Sequence, residues 1–517
     1  MGSSRTLSTR FSFPLTTNHS WHFVSNLWCY FYIGRSCDDH RQKMPIFYFW
    51  SHRLCQQVAY KTKEETIVIR RNQSRRHFLR NAAAASIATF AAPYVKAARS
   101  AGKLSLGIWD HWVPGVNAVL RTICEEWGNA NGVEVTIDFI TSIGNKLLLT
   151  AQAESRARTG HDVYSLPVYY PSMFRRSLEP VDDVVTDIIS AYGPLAPSAY
   201  FLAQLDGVWR AAPSPTASPN LASVSRLDLY KAHAGVDLTE IFPPHANRNP
   251  ELVDKWTYEA FLKAAEQLHL AGHPFGAAIS PTPDGTNWLA ALFSAYGAEF
   301  VNRDGEVSVN SNEVRNVLEY MSRLTQFMPD HVYAWDDASN NRFMISGKGS
   351  TTINPPSIWA VSNRDMPAVA EQLWHHDTPR GPKGSFRADA PFFWGVWNFS
   401  ENISAGKDLL RYVANRNVVD QLVLASQGFD IPVIISHYQN NDIWAKSGPP
   451  PGTLYNYPAR GDEKLISAGY PAPPEMASQI AVQGLYGNLV ASVTQGGETF
   501  DDAISWAENE LEGMMRG

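Results

Sequence analysis

The sequence predicts an α/β protein built from two domains. Short apolar segments typical of strands alternate with segments that repeat apolar residues at helical spacing. Between residues 103 and 166 the order is strand, helix, strand, helix, strand, which predicts a parallel sheet with right-handed crossovers. A second set of alternating segments fills the central part of the chain, and 517 residues are enough for two domains of ordinary size.

The first domain begins with three strands and two helices. We expect strands over residues 103–109, 133–140 and 161–166, separated by helices over 114–131 and 144–158. The first helix starts at a proline, which suits a first helical turn, and ends at an Asn-Gly pair. Ligands of parallel sheets bind beyond the carboxyl ends of the strands, so the turns after these strands are the first candidates for a site.

The chain becomes more helical after about residue 200. Further helices are expected at 257–268, 288–300, 310–324 and in the region of about 465–515. Further strands are expected at 207–212, 275–280, 343–353 and 391–399. Crossings between the domains are expected at about 205–215 and 350–360. The first domain would then comprise 103–210 and about 355–400, and the second, more helical one 211–350 and about 400–517.

Charge and motifs exclude several classes of function. A formal net charge of −6 argues against a nucleic-acid partner, which would favour a basic surface. The sequence contains none of the GxGxxG, CxxC, haem or GxSxG motifs of common enzyme classes. His375, His376 and Asp377 are adjacent, which suits one metal site poorly because neighbours on a strand face opposite ways, so we expect a solvated loop there. We predict no catalytic residue, no metal site and no cofactor.

A basic segment followed by an apolar run lies between residues 74 and 98. Arg75 and Arg76, with Phe78 and Leu79 after them, resemble the twin-arginine consensus, and the alanine-rich run ends in small residues suited to cleavage. We therefore expect a twin-arginine signal peptide over residues 74–98 that directs the mature chain to the periplasm.

The segment before the signal is expected not to belong to the natural protein. Export signals lie at the start of a precursor, whereas 73 residues without helical or strand periodicity precede this one. We expect residues 1–73 to be a disordered upstream extension. No cysteine follows the apolar run closely enough to carry a lipid, so the mature protein is expected to be free in the periplasm.

Several segments, taken in order, resemble the extracellular solute-binding proteins of family 1, the sugar-type binding proteins of ABC importers. They are LGIWDHWVPG, SIGNKLLLT, GHDVYSLP, FMISGKGSTTINPPSIWA, PRGPKGSFR, FFWGVWNFS and SQGFDIPV. The resemblance spans about residues 103–515. It implies a type II periplasmic-binding-protein fold, with two lobes joined by crossing strands and a ligand cleft between them that closes by a hinge motion.

The resemblance also implies a function and partners. The chain would be a monomeric binding protein, not an enzyme, that delivers a sugar or related small polar solute to ABC permease subunits in the inner membrane. A secreted carbohydrate-active hydrolase remains the alternative, although a glycosidase would need two carboxylates flanking one bond, and the sequence alone pairs none.

Candidate ligand-binding residues are aromatic and polar side chains near strand ends, because sugars offer an apolar ring face and hydroxyl groups. They are Asp110, His111, Trp112, Asn145, Tyr169, Trp288, Asn354, Trp359 and Trp394. Each also has a structural interpretation. Asp110 and Asn145 could cap helices, Tyr169 could pack against the second lobe, and Trp288 could be core. Trp394 and Trp397 face opposite sides of a regular strand, so at least one should be core.

Overall fold

A computed structural model describes residues 102–217, 220–243, 247–439, 441–444 and 463–516. The expected extension at 1–73 and the expected signal peptide at 74–98 lie outside these residues. The described strands are, in chain order, β1 Lys103–Trp109, β2 Glu134–Ile140, β3 Val163–Pro167, β4 Gln204–Leu205, β5 Val208–Trp209, β6 Ala212–Pro213, β7 Asn220–Arg226, β8 Thr351–Asn354, β9 Leu373–His376, β10 Phe386–Asp389, β11 Phe392–Val396 and β12 Lys464–Ile466.

The described α-helices are α1 Gly115–Asn131, α2 Lys146–Ala157, α3 Tyr170–Met173, α4 Asp182–Tyr192, α5 Pro197–Ala203, α6 Leu227–Leu229, α7 Leu238–Ile241, α8 Pro250–Lys255, α9 Tyr258–Leu270, α10 Pro283–Tyr296, α11 Asn312–Leu324, α12 Ser339–Ile345, α13 Ser357–Asp365, α14 Pro367–Ala370, α15 Ile403–Val413, α16 Arg416–Ala425, α17 Ile435–Tyr438, α18 Pro474–Val482, α19 Leu485–Thr494 and α20 Phe500–Arg516. Short 3₁₀ helices cover Ile143–Asn145, Thr325–Phe327 and Asp330–Ala334, and a π-helical turn covers Tyr230–Ala234.

The first lobe is built on a five-stranded sheet in the order β2-β1-β3-β11-β6. β1 pairs in parallel with β2 along its whole length and with β3 on its other side, which confirms the predicted parallel core. β11 runs antiparallel to β3 and to β6. The amino-terminal end of β11 therefore lies at the same edge of the sheet as the carboxyl ends of β1, β2 and β3.

The second lobe is built on a sheet in the order β12-β10-β7-β8, and β9 pairs with β7 as well. Helices α11 and α20 are amphipathic, whereas α10 is buried along most of its length and packs against β10, α11 and α19. The chain crosses between the lobes from β6 to β7 and again from β10 to β11. The two crossings are adjacent, because Asn220 pairs with Asp389 and its side-chain amide donates to the Asp389 carboxylate at 2.7 Å. The predicted two-lobed α/β fold is thus the observed one.

The division of the chain between the lobes differs from the expected one. Residues 351–365 stay in the second lobe, because β8 pairs with β7 over four residues before α13 begins. The return crossing lies instead between Asp389 and Phe392. Helices α15 and α16, beyond residue 400, lie on the first lobe against α4 and α1. Local patterns identify elements, but the partner of an amphipathic helix depends on long-range packing.

Three local expectations are corrected by the structure. The segment 343–353 is not one strand, because α12 continues to Ile345, Gly347 takes a left-handed φ of 75°, and β8 starts at Thr351. Residues 275–280 form a single bridge rather than a strand. The His375-His376-Asp377 segment is buried at the end of β9 instead of being a solvated loop, and Ser225 contacts the His376 Nε2 atom at 2.9 Å.

A buried charge cluster anchors β10 and β12 in the second lobe. The Arg387 side chain is 0% exposed and donates to the buried carboxylates of Glu463 and, at 3.4 Å, Asp377. Arg248 donates to the other Asp377 oxygen at 2.5 Å. Thr378 donates to Glu463 from its backbone N–H at 2.9 Å. Arg387 thus supplies a positive charge to two buried carboxylates.

Replacing Arg387 with methionine should therefore lower the free energy of unfolding by about 3–5 kcal/mol, because it leaves the buried Glu463 carboxylate without its cationic partner. Chemical denaturation followed by tryptophan fluorescence measures the change. The matched control is Arg364→Met, which removes an exposed pair with Asp365 and should leave the free energy of unfolding nearly unchanged. Equal losses in the two variants would contradict the assignment.

Candidate functional site

A cleft of about 210 Å³ lies between the two lobes. The first lobe contributes mainly aromatic and apolar side chains to it, namely Trp109, Trp112, Leu147, Leu148, Val168, Tyr169, Tyr170, Phe392 and Phe429, together with Ser142 and Asn145. The second lobe contributes more polar groups, among them Thr282, Asp284, Thr286, Asn287, Asp337, Asn354 and Ser357. The cleft therefore combines an aromatic wall with a polar wall.

The aromatic wall is positioned by the carboxyl ends of the three parallel strands. Trp109 is the last residue of β1, Asn145 lies in the turn after β2, and Tyr169 follows β3. Asn145 and Val168 adopt left-handed backbone conformations with φ of 58° and 43°. Such a φ is costly for a β-branched residue like Val168 and is typical of functional sites, where surrounding contacts hold the strained turn in place.

The polar wall starts at the amino terminus of α10. Thr282 caps this helix by accepting from the Gly285 N–H at 3.1 Å, and the Asp284 carboxylate accepts from the Asn340 amide at 2.6 Å. The same Asn340 amide also donates to Asn354, which is 1% exposed. Asn354 in turn donates to the side chain of Asn341 at 3.0 Å. This amide network fixes Asp284 relative to the end of β8.

Two carboxyl groups of the cleft have perturbed acidity. Burial raises the pKa of Asp284 to about 6, against the opposing hydrogen bond from Asn340. Burial, together with the charges of Asp284 and Asp336, raises the pKa of Asp337 to about 7. No lysine, arginine or histidine lies among the described residues that line the cleft. The site is therefore acidic and lacks a compensating cation of its own.

Three buried polar atoms of the cleft make no hydrogen bond to any described residue. They are the Tyr169 hydroxyl, the Asn287 Oδ1 and the Asp337 Oδ1. Tyr169 is only 4% exposed, and the Asn287 amide nitrogen is already used in a bond to the Pro283 carbonyl at 2.8 Å. Buried polar atoms of native proteins are nearly always paired, so these three atoms of one cleft are available to bond a polar ligand or water.

The structure brings four of the predicted ligand-binding residues together. Trp112, Asn145, Tyr169 and Asn354 all line the cleft. Five others lie outside its lining, namely Asp110, His111, Trp288, Trp359 and Trp394. Contact with a ligand remains a prediction for all nine.

Asp110 and His111 have structural partners near the cleft. Asp110 is exposed and accepts from the Asn117 amide at 2.7 Å, close to the start of α1. His111 is buried, contacts Asp430 at 3.2 Å, and lies edge-on to the rings of Trp109 and Phe429. Since those two rings line the cleft, His111 supports the aromatic wall from behind.

The three tryptophans outside the lining are buried. Trp288 on α10 donates to the Ala278 carbonyl at 2.6 Å, Trp359 lies on α13, and Trp394 on β11 is 0% exposed. Phe392 reaches the cleft instead of Trp394, because β11 is antiparallel to β3 and its first residue is opposite Pro167 at the strand end.

Sequence reasoning missed Trp109, Tyr170, Asp284, Asn287, Asp337, Phe392 and Phe429 as lining residues. Trp109 and Tyr170 are direct neighbours of residues that were predicted, so the strand ends were the right signal. Asp284 and Asn287 lie in the proline-rich turn that opens α10, and an acidic residue at a helix start is ordinarily read as a stabilising charge. Asp337 has no local signal, because its role depends on the fold bringing it beside Asp284.

Two α/β lobes, crossing strands and a cleft of aromatic and polar groups define a binding protein that holds a small ligand between its lobes. The sequence profile of the family described as "Bacterial extracellular solute-binding protein" matches residues 115–417. The chain belongs to this family, which confirms the resemblance carried by its segments. The family's members are binding proteins that act outside the cytoplasm.

Solved structures share the fold at low sequence identity. The maltose-bound MalE3 protein of T. maritima has a TM-score of 0.65 and 17% identity, covering 80% of this chain and 100% of that one. A sugar transporter from Arthrobacter chlorophenolicus A6 with bound laminaribiose has a TM-score of 0.63 and 14% identity, covering 80% and 99%. A solute-binding protein from Agrobacterium radiobacter K84 in complex with ribitol has a TM-score of 0.60 and 15% identity, covering 80% and 98%.

No curated relative matches the sequence at a significant level. Within the described ranges, no helix has the length and apolar character needed to cross a membrane. The same residues bring together no group of three or more His, Cys, Asp or Glu side chains that could hold a metal ion.

Removal of Asp430 should disturb the support of the aromatic wall. Its Oδ1 accepts from the Ala217 N–H and contacts His111, so Asp430→Ala leaves buried polar groups on two segments unpaired. We expect a loss of about 1–3 kcal/mol in the free energy of unfolding. Denaturation curves measure it, with the exposed Glu401→Ala as control. A loss no larger than that of the control would show that the bond to the crossing segment is not stabilising.

Proposed function

We propose that the protein is the periplasmic substrate-binding component of an ABC importer and that it binds a sugar or polyol in the cleft between its lobes. The observation that carries the proposal is the joint presence of aromatic rings and unpaired buried polar atoms in one interlobe cleft. Sugars and polyols supply hydroxyl groups for the polar atoms, and sugars also present an apolar ring face for the aromatic wall.

The two lobes contribute different chemical groups to the cleft, which supports this proposal. Trp112, Tyr170 and Phe392 of the first lobe offer flat apolar surfaces, whereas Asn287 and Asp337 of the second lobe offer oxygen acceptors. A ligand that satisfies both walls contacts both lobes at once. Such a ligand stabilises the arrangement in which the lobes approach, as expected of binding proteins that close around their ligand.

The ligands of structural neighbours agree with this class. The MalE3 protein binds maltose, the Arthrobacter protein binds laminaribiose and the Agrobacterium protein binds ribitol. Sugars and a polyol therefore occupy proteins of this fold. The low identities do not transfer any one of these ligands to the present chain, so the proposal is limited to the chemical class.

Export and partners complete the proposal. The paired arginines Arg75 and Arg76 and the alanine-rich run after them indicate twin-arginine export to the periplasm. There the protein would act as a monomer and deliver its ligand to the permease subunits of the importer. The proposal includes no catalytic step and no cofactor.

A thermal-shift panel tests the binding class. Maltose, laminaribiose, ribitol and mannitol are each added to the purified protein in excess. We expect at least one to raise the Tm by a few degrees, because a ligand at 100 times its Kd stabilises the folded state by about 2.7 kcal/mol. The ligand recovered by chromatography should be chemically unchanged. Hydrolysis of a bound saccharide would instead support the secreted hydrolase, with Asp284 and Asp337 as its carboxylates.

Substitutions in the cleft test the site. With the ligand from that panel, Trp112→Ala and Tyr169→Phe should each weaken binding about tenfold, equivalent to about 1.4 kcal/mol. Trp112→Ala removes a flat apolar surface, and Tyr169→Phe removes a hydroxyl that has no other partner. Tyr412→Phe on α15 is the matched control, because it removes a tyrosine hydroxyl away from the cleft lining. Isothermal titration calorimetry gives the affinities, and unchanged binding in both cleft variants would place the site elsewhere.

A further inference from the structure

We propose that the ligand is a saccharide or polyol that carries a protonated amine, which is held at the carboxylate pair of Asp284 and Asp337. This inference rests on the proposed function and names the substrate class of the same cleft. Both acidic side chains line the cleft, and no basic side chain does so among the described residues.

Hydrogen bonding leaves the pair incomplete. Asp284 accepts one bond, from Asn340 at 2.6 Å, and the buried Oδ1 of Asp337 accepts none. The neighbouring Asp336, in contrast, accepts hydrogen bonds from Arg342 at 2.6 Å and from Ser339 at 2.7 Å. The chain thus pairs the carboxylate outside the cleft lining and leaves the carboxylate inside it available.

The groups that act electrostatically on the pair come from three elements. Asp284 lies on α10, Asp336 precedes α12, and Tyr170 on α3 of the first lobe has its pKa raised by burial and by Asp337. All are acidic or phenolic, so none supplies positive charge. Burial, with repulsion from Asp284 and Asp336, raises the pKa of Asp337 to about 7, and burial raises that of Asp284 to about 6, in agreement with a lining that holds no cationic side chain among the described residues.

An ammonium group would pair with these two carboxylates better than a hydroxyl group would. It brings the missing charge and three N–H donors, whereas a hydroxyl brings one donor and no charge. The aromatic wall opposite suits the same group, because Trp112 and Tyr170 present ring systems that attract cations. Tyr169 and Asn287, with their unpaired buried polar atoms, remain for the hydroxyl groups of the ligand. Carboxylate- or phosphate-bearing sugars would meet repulsion.

Matched ligands test the inference by calorimetry. D-sorbitol, 1-amino-1-deoxy-D-sorbitol and D-gluconate differ at one terminal carbon, and cellobiose differs from the β-1,4-linked glucosamine dimer at two amino positions. We expect the amine of at least one pair to bind at least tenfold tighter than its hydroxyl analogue, and the gluconate to bind weakest. Equal or tighter binding of the neutral analogues overturns the inference and leaves the proposed function standing. Failure of all of these compounds and of the whole sugar panel counts against both.

Single substitutions locate the effect. Asp337→Asn keeps the shape of a side chain that makes no hydrogen bond through its Oδ1 but removes its charge, so it should abolish the preference for the amine over its hydroxyl analogue. Asp336→Asn removes the same charge one residue away, outside the lining, and should retain the preference. An undiminished preference in Asp337→Asn would overturn the assignment of the ammonium to this pair.

The pH dependence provides an independent readout. The ammonium of 1-amino-1-deoxy-D-sorbitol is expected to stay protonated below about pH 9, as an alkylamine similar to lysine. Asp284 and Asp337 must ionise to pair with it, so its affinity should rise between about pH 5 and pH 8 as protons leave groups with pKa values of about 6 and about 7. The affinity for D-sorbitol should show no such rise, and a parallel rise for both ligands would contradict the pairing.

Discussion

The cleft depends on one geometric constraint, the antiparallel insertion of β11 beside a parallel sheet. Parallel β1, β2 and β3 bring their carboxyl ends to one edge, and β11 starts at that edge because it runs the other way. The turns after the parallel strands and the first residue of β11 therefore meet. Since β11 follows directly from the crossing out of the second lobe, the same edge also faces that lobe.

The crossing segments are connected to the cleft by hydrogen bonds. Asn220 and Asp389 connect the two crossings where they leave the second sheet. On the other side, Asp430 connects the backbone of Ala217, in the first crossing, to His111 in the turn after β1. The ring of His111 in turn packs against Trp109 and Phe429, which line the cleft. The first crossing and the aromatic wall are therefore joined by an unbroken series of contacts.

The sequence predicted the parts of this arrangement that depend on local patterns. The strand at 103–109 was predicted to the residue, and the turns after β1, β2 and β3 contained Trp112, Asn145 and Tyr169, which line the cleft. The direction of β11 cannot be predicted from local patterns. Trp394 was therefore predicted to reach the cleft, whereas the antiparallel β11 brings Phe392 there. Asp337 was missed for a related reason, because its proximity to Asp284 exists only after folding.

The carboxylates of the second lobe that lie away from water differ in their partners, and the contrast bears on function. Asp377 and Glu463 are paired with arginines, which lowers the energetic cost of burying them and anchors β10 and β12. Asp284 and Asp337 are only partly buried in the cleft and have no cationic partner among the described lining residues, and desolvation raises the pKa of both. Next to the cleft, Asp336 is also paired with an arginine, because Arg342 donates to its carboxylate. The proposed ammonium group would supply to Asp284 and Asp337 the positive charge that Arg342 supplies to Asp336. Its binding would then relieve the repulsion between the two carboxylates.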